Sequence, residues 1–132
     1  MMNQQNSLLA PSNPSRGLIL FAHGSRDPLW KKPIEAVASQ IRQIDPVVQV
    51  RCAYLELTAP DLPACVAELH AQGVTAITVV PMFLGIGKHA REDLPLLMAT
   101  LQASYPLMAF KLRPAISEEA PVIELMARIA LS

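Results

Sequence analysis

Residues 74–101 read VTAITVVPMFLGIGKHAREDLPLLMATL, and their reading decides the fold. Val74–Val80 is a short β-branched run suited to a buried strand. Leu94, Leu97, Met98 and Leu101 then recur at helical spacing and lay one apolar stripe along a helix. Between them, Pro81–Asp93 is a loop of unusual chemistry, with three glycine or proline breaks, then Lys88, His89 and Arg91. A buried strand, a long loop and an amphipathic helix in that order form one strand–helix unit of a parallel sheet.

The same unit repeats outward in both directions. Leu18–Ala22, Val47–Leu55 and Met108–Leu112 are the other expected strands. Three further segments share the helical template: Ile34/Val37/Ala38/Ile41, Leu62/Cys65/Val66/Leu69 and Val122/Leu125/Met126/Ile129. Each of these stripes is expected to face a sheet. Pro46, Gly73 and Pro106 close helices just ahead of strands. Thr58 with Pro60, and Ser117 with Glu118 and Glu119, are the expected helix starts. Strict alternation predicts a small doubly wound α/β domain, with a four-stranded parallel sheet ordered 2-1-3-4 and helices on both faces. Residues 1–16 are polar and aperiodic and are expected to form a loose tail; residues 17–132 form the single domain.

Composition sets limits on function. The 132 residues are 52% hydrophobic and 17% charged, which excludes a disordered polymer. Eleven basic and eleven acidic side chains cancel, so no global field draws the chain to nucleic acid or anionic lipid. The apolar run from Gly73 to Gly87 is too short to span a bilayer, and no signal peptide is expected. Cys52 and Cys65, with no CxxC spacing, read as buried thiols in a cytoplasmic protein.

In a doubly wound sheet, ligands bind beyond the carboxyl ends of the strands, where the strand order reverses. For the order 2-1-3-4 that point lies between the first and third strands. The loops there are Ala22-His23-Gly24-Ser25-Arg26-Asp27-Pro28 and Pro81–Asp93, and they hold two of the three histidines, His23 and His89. Glu56 follows the second strand on the same edge. Imidazole and carboxylate donors suit iron, cobalt, nickel or zinc, and imidazoles also accept protons near neutrality. The blander readings stand beside this one: His23 bonding a neighbouring loop, Glu56 capping the next helix, Met82 and Phe83 as plain core. His70 reads as a partly buried structural residue, Trp30 as a lid or core residue, and Met98 and Met126 as packing.

Other enzyme classes fit less well. A phosphohistidine phosphatase wants Arg before the histidine, and Ala22 stands there. No G-x-S-x-G elbow, GxGxxG or Walker loop occurs.

The strand-AHGSRDP opening, the YLEL segment after the second strand and VVPMFLGIGKHAREDLP together resemble the sirohydrochlorin chelatases, in particular the short, single-domain CbiX-type class II members. The resemblance runs from about Gly17 to the end of the chain. It implies ATP-independent insertion of a divalent metal, Co²⁺ or Fe²⁺ and possibly Ni²⁺, into sirohydrochlorin in cobalamin or siroheme biosynthesis. It also implies that His23 and His89 hold the metal and receive pyrrole protons, with Glu56 assisting. The metal is a substrate, no organic cofactor is implied, and the single-domain members are homodimers. Ser25, Arg26, Met82, Phe83, Leu84, Gly85, Lys88 and Arg91 are the candidate substrate contacts, the cations meeting ring carboxylates and the Met82–Gly87 loop flooring the macrocycle. Glu92 or Asp93 is a candidate partner for His89. The chain carries neither a histidine-rich stretch nor cluster-binding cysteines, so its metal preference is unmarked. The rival reading is a metal or tetrapyrrole carrier using the same histidines.

Overall fold

The structure, a computed structural model, describes residues 15–132. The expected tail over 1–16 falls almost wholly outside these residues. Its last member, Arg16, already belongs to a strand. The elements run β1 (Arg16–Ala22), α1 (Lys32–Ile44), β2 (Gln49–Tyr54), α2 (Leu62–Ala71), β3 (Ala76–Pro81), α3 (Lys88–Ser104), β4 (Ala109–Leu112), a 3₁₀ turn (Ile116–Glu118) and α4 (Ala120–Leu131). The four strands are parallel and ordered β2-β1-β3-β4, as the alternation predicted.

Alternation of side chains across the strands divides the core in two. On one face, Ile19, Phe21, Ala53, Ile77 and Val79 pack under α2 and α3. Leu62, Cys65, Val66 and Leu69 of α2 are all buried, and Leu94, Met98 and Leu101 of α3 join them. Each such side chain, fully withdrawn from water, stabilises the fold by about 1.5–3 kcal/mol. On the other face Leu20, Val48 and Val50 pack under Ala38, Ile34 and Ile41 of α1. Val37 lies off that seam and stays 37% exposed. Gly17 allows α2 to sit close, because a Cβ there would lie 3.1 Å from both Leu69 Cδ1 and Val74 Cγ1.

Three local expectations are corrected. The cap of α2 is Asp61, whose carboxylate accepts from the Ala64 N–H at 2.9 Å, not Thr58. His70 is exposed and lies against Tyr105, with ring centroids 4.9 Å apart and planes tilted by 55°. The largest departure is α4. None of its residues is buried, and Leu125, Met126 and Ile129 are 57%, 39% and 64% exposed, so its stripe faces no sheet. Its neighbour is the 3₁₀ turn. The spacing of α4 marks which side is apolar, not what covers it.

Candidate functional site

The carboxyl rim of the sheet is assembled by backbone pairing that continues past the strands. The Leu55 N–H donates to the Ala22 carbonyl at 2.9 Å, and the Glu56 N–H donates to the His23 carbonyl at 3.1 Å. On the other side, the Met82 N–H donates to the Phe21 carbonyl at 2.7 Å. The three loops that follow β1, β2 and β3 are thus joined edge to edge, with the His23 loop in the middle. The rim holds two unusual backbone conformations, Gly24 at φ +99° and Leu57 at φ +69°. For a leucine, the left-handed region costs on the order of 1–2 kcal/mol, and such residues gather at functional loops.

His23 is exposed, and its ring lies on that of Phe83, centroids 4.4 Å apart and tilted by 38°. Phe83 in turn meets Phe21 edge-on at 6.0 Å. A rigid apolar stack therefore supports the imidazole from below and leaves its outer side to solvent. This corrects the expectation that Phe83 floors a substrate. At 2% exposure it offers no face to one. Met82 is half-buried and packs with the α1-side cluster, while Phe83 packs with the opposite one. Leu84, 77% exposed, Gly85 and Gly87 are the loop residues that face outward.

His89 is the second residue of α3, flanked on the first turn by Lys88 and Arg91, all three exposed. No hydrogen bond joins His89 to Glu92 or Asp93 among the described residues, so the expected tautomer-fixing partner is not found there. Gly87 is the N-cap, and the Arg91 guanidinium reaches back to the Ile86 carbonyl at 3.5 Å. Ser25 is half-buried, and its hydroxyl accepts from the Asp27 N–H at 3.0 Å, which turns it inward to the loop. Asp27 then accepts from the Leu29 N–H at 2.9 Å. Arg26 and Glu56 are exposed. Trp30 closes the side of the loop, edge-on to Tyr54 at 6.2 Å.

Histidines 23 and 89 thus share the rim with Glu56 by topology. Among the described residues, however, no three His, Cys, Asp or Glu side chains form a closed metal cage. Beside the rim is a cavity of about 240 Å³ lined by Phe21, Leu55, Ala90, Asp93, Leu94 and Leu97. The cysteines stand apart from this chemistry. Both are free; burial pushes the Cys65 thiol up to about 11 and raises that of Cys52. They are therefore neutral thiols at neutral pH and poor metal ligands. Burial likewise lifts the Tyr54 hydroxyl to about 12. The sequence reading missed the roles of Phe83 as support for His23 and of Gly24 as the closing point of the loops. The adjacency of Phe83 to the Met82–Gly87 loop was visible, but not which way its ring turns.

A small four-stranded parallel α/β domain with strand order β2-β1-β3-β4 is the fold of the CbiX and SirB chelatases. The chain matches the CbiX family over residues 17–130 and belongs to it. The sirohydrochlorin cobaltochelatase of Methanococcoides burtonii is 34% identical over 79 residues, covering 60% of this chain and 60% of that protein. That of Methanocaldococcus jannaschii is 32% identical over 90 residues, covering 67% and 62%. The matched stretch thus spans about 60% of the length of these relatives. A CbiX protein from Marinobacter aquaeolei VT8 superposes with a TM-score of 0.74 at 33% identity, covering 88% of this chain and 93% of that one. The sirohydrochlorin chelatase SirB from Bacillus subtilis subspecies spizizenii, solved in complex with cobalt, superposes with a TM-score of 0.73 at 23% identity. That match covers 86% of this chain and 49% of SirB, and it speaks for the fold alone.

Proposed function

We propose that this protein inserts a divalent metal into sirohydrochlorin without ATP, serving cobalamin or siroheme biosynthesis. The observation that carries this reading is the placement of His23 and His89 on the two loops that flank the strand-order switch, in a chain of the CbiX family. Insertion exchanges two pyrrole N–H protons for one M²⁺ ion, so charge balances if two bases take the protons. Neutral His23 and His89 each offer one nitrogen lone pair for that purpose, and each can present the incoming ion to the ring first. Glu56, exposed beside His23, supplies a negative charge that favours the ion's approach. Lys88, Arg91 and Arg26 are exposed cations suited to the ring's carboxylates. Leu84 and Gly85 supply the apolar contact.

The metal is substrate, with Co²⁺, Fe²⁺ and Ni²⁺ all compatible with imidazole donors. The cobaltochelatase relatives favour Co²⁺ as the first ion to test. The macrocycle is about as wide as this domain, so a homodimer that adds a second wall belongs to the proposal. A cytoplasmic location belongs to it too, supported by the two free thiols. No helix of the described residues is long and apolar enough to cross a membrane.

The test is anaerobic metal insertion into sirohydrochlorin followed by absorbance, with the protein at catalytic concentration. Many turnovers support the reading. Conversion that stops at one equivalent per site replaces it with a carrier. No acceleration over the protein-free rate with any of the three ions removes it.

A further inference from the structure

The edge of the sheet opposite the histidine rim carries a groove that metal insertion does not use. It has a volume of about 360 Å³, and its lining includes His70, Val74, Thr75, Tyr105, Leu107 and Met108, which lead into β3 and β4. One wall is the end of α2. There the Val74 N–H donates to the Leu69 carbonyl and the Gly73 N–H to the His70 carbonyl, both at 3.0 Å. Gly73 takes φ +86°, the left-handed conformation that closes a helix in this way. The other wall is the tight turn after α3. The Met108 N–H donates to the Tyr105 carbonyl at 3.0 Å. The Gln102 side-chain amide donates to the carbonyls of Tyr105 at 3.2 Å and Met108 at 2.9 Å, which pins the turn.

Both walls are thus fixed by their own backbone bonds, and they hold apolar surface against water. Leu107, in the turn, is 98% exposed. One exposed leucine is ordinary on a protein surface. This one borders a groove within the size range of sites that hold a ligand, about 300–1,000 Å³. Among the described residues no lysine, arginine, aspartate or glutamate lines it. The groove therefore calls for an apolar, uncharged occupant.

The chain brings such an occupant to this place. The Ser15 carbonyl accepts from the N–H groups of Thr75 at 3.0 Å and Ala76 at 3.4 Å, so the chain enters β1 bonded to the groove's own lining. The fourteen residues ahead of Ser15, MMNQQNSLLAPSNP, contain no charged side chain, and Leu8-Leu9-Ala10 is their longest apolar run. Leu9 stands six residues ahead of Ser15, a reach of up to about 20 Å. The far wall is only one strand spacing, about 5 Å, beyond Thr75, because the Ala109 N–H donates to the Thr75 carbonyl at 2.9 Å. Pro11 and Pro14 reduce the conformational freedom that docking would cost. We infer that Leu8 and Leu9 occupy the groove beside Tyr105 and Leu107 of their own chain, strapping the ends of α2 and α3 to the start of the sheet. The strap sits at the edge away from His23 and His89, so it stands or falls independently of the chelatase reading.

Isotope-edited NOE spectra of the full chain test this without reference to activity. The expected contacts run from the Leu8 or Leu9 methyl groups to the Tyr105 ring and the Leu107 methyls. In a sample mixed from labelled and unlabelled chains, they are expected within chains and not between them. The double variant Leu8→Ser/Leu9→Ser should abolish them, shift the Tyr105 ring resonances and lower Tm by roughly 5 °C or more. Leu107→Ser should weaken the contacts to Tyr105 while the fold is kept, because Leu107 belongs to neither core cluster. Wild-type spectra without these contacts overturn the inference, as does a double variant whose Tyr105 resonances and Tm match the wild type. Contacts found only between chains overturn it too, since the occupant is then a neighbour's segment. Undiminished contacts to Tyr105 in Leu107→Ser show the seat to be wrong.

Discussion

A Cβ atom added to Gly24 would collide with the carbonyl oxygen of Glu56 and sit 3.1 Å from its carbonyl carbon. The two residues belong to different loops, and their contact is what brings the His23 segment against the Glu56 segment. Gly24 also holds φ at +99°, where a side chain is strained whatever the space around it.

Gly24→Ala should therefore cost at least about 2 kcal/mol. It should lower Tm by roughly 5–10 °C for a domain of this size. Metal insertion should fall further than the stability loss explains, since the loop that carries His23 must move. Thermal denaturation beside turnover at low temperature separates the two effects.

His23→Ala and His89→Ala should each reduce metal insertion by about 10²-fold or more, the scale of a lost proton acceptor. Both side chains are exposed, so Tm should change by no more than about 2 °C. A variant that keeps more than about a tenth of the wild-type rate would remove that residue from the mechanism.

Phe83→Ala should destabilise by about 3–5 kcal/mol, because a large buried ring is deleted from a packed core. Phe83→Leu keeps most of the volume and should cost about 1–2 kcal/mol. With the fold retained, Phe83→Leu should still slow insertion, because the stack under the His23 imidazole at 4.4 Å is lost. Urea midpoints with turnover on the Leu variant check this. Unchanged turnover would reduce Phe83 to core packing.

The fold should weaken at alkaline pH through Cys65. Its folded pKa, about 11, lies above the ordinary thiol value of 9.0, because burial opposes the thiolate. The unfolded chain therefore loses that proton first. The contribution is fully present below pH 9 and is lost as pH rises toward 11. Tm measured across that window should decline, and less steeply in Cys65→Ala. Equal slopes for the two proteins would remove Cys65 as a source of the decline.

The alternation of strands with apolar helical stripes, read along the chain, determined the architecture. Strand order 2-1-3-4 then placed the His23, Glu56 and His89 loops on one edge, because parallel strands joined by right-handed crossovers put every strand-to-helix loop there. What the order of residues does not contain is the direction in which each side chain turns once the loops are closed. Met82 and Phe83 are neighbours in sequence, yet they pack on opposite faces of the sheet, while Leu84 and Gly85 reach outward. Ser25 reads as a candidate substrate contact, and what its spacing does not tell is that its hydroxyl also accepts from the Asp27 N–H of its own loop. The stripe of α4 has the same period as those of α2 and α3, yet it meets no sheet of its own chain. Periodicity is a local property of a helix, set by its 3.6-residue turn. Burial belongs to the whole molecule, and here the tertiary structure alone decided which apolar faces are covered and which remain open.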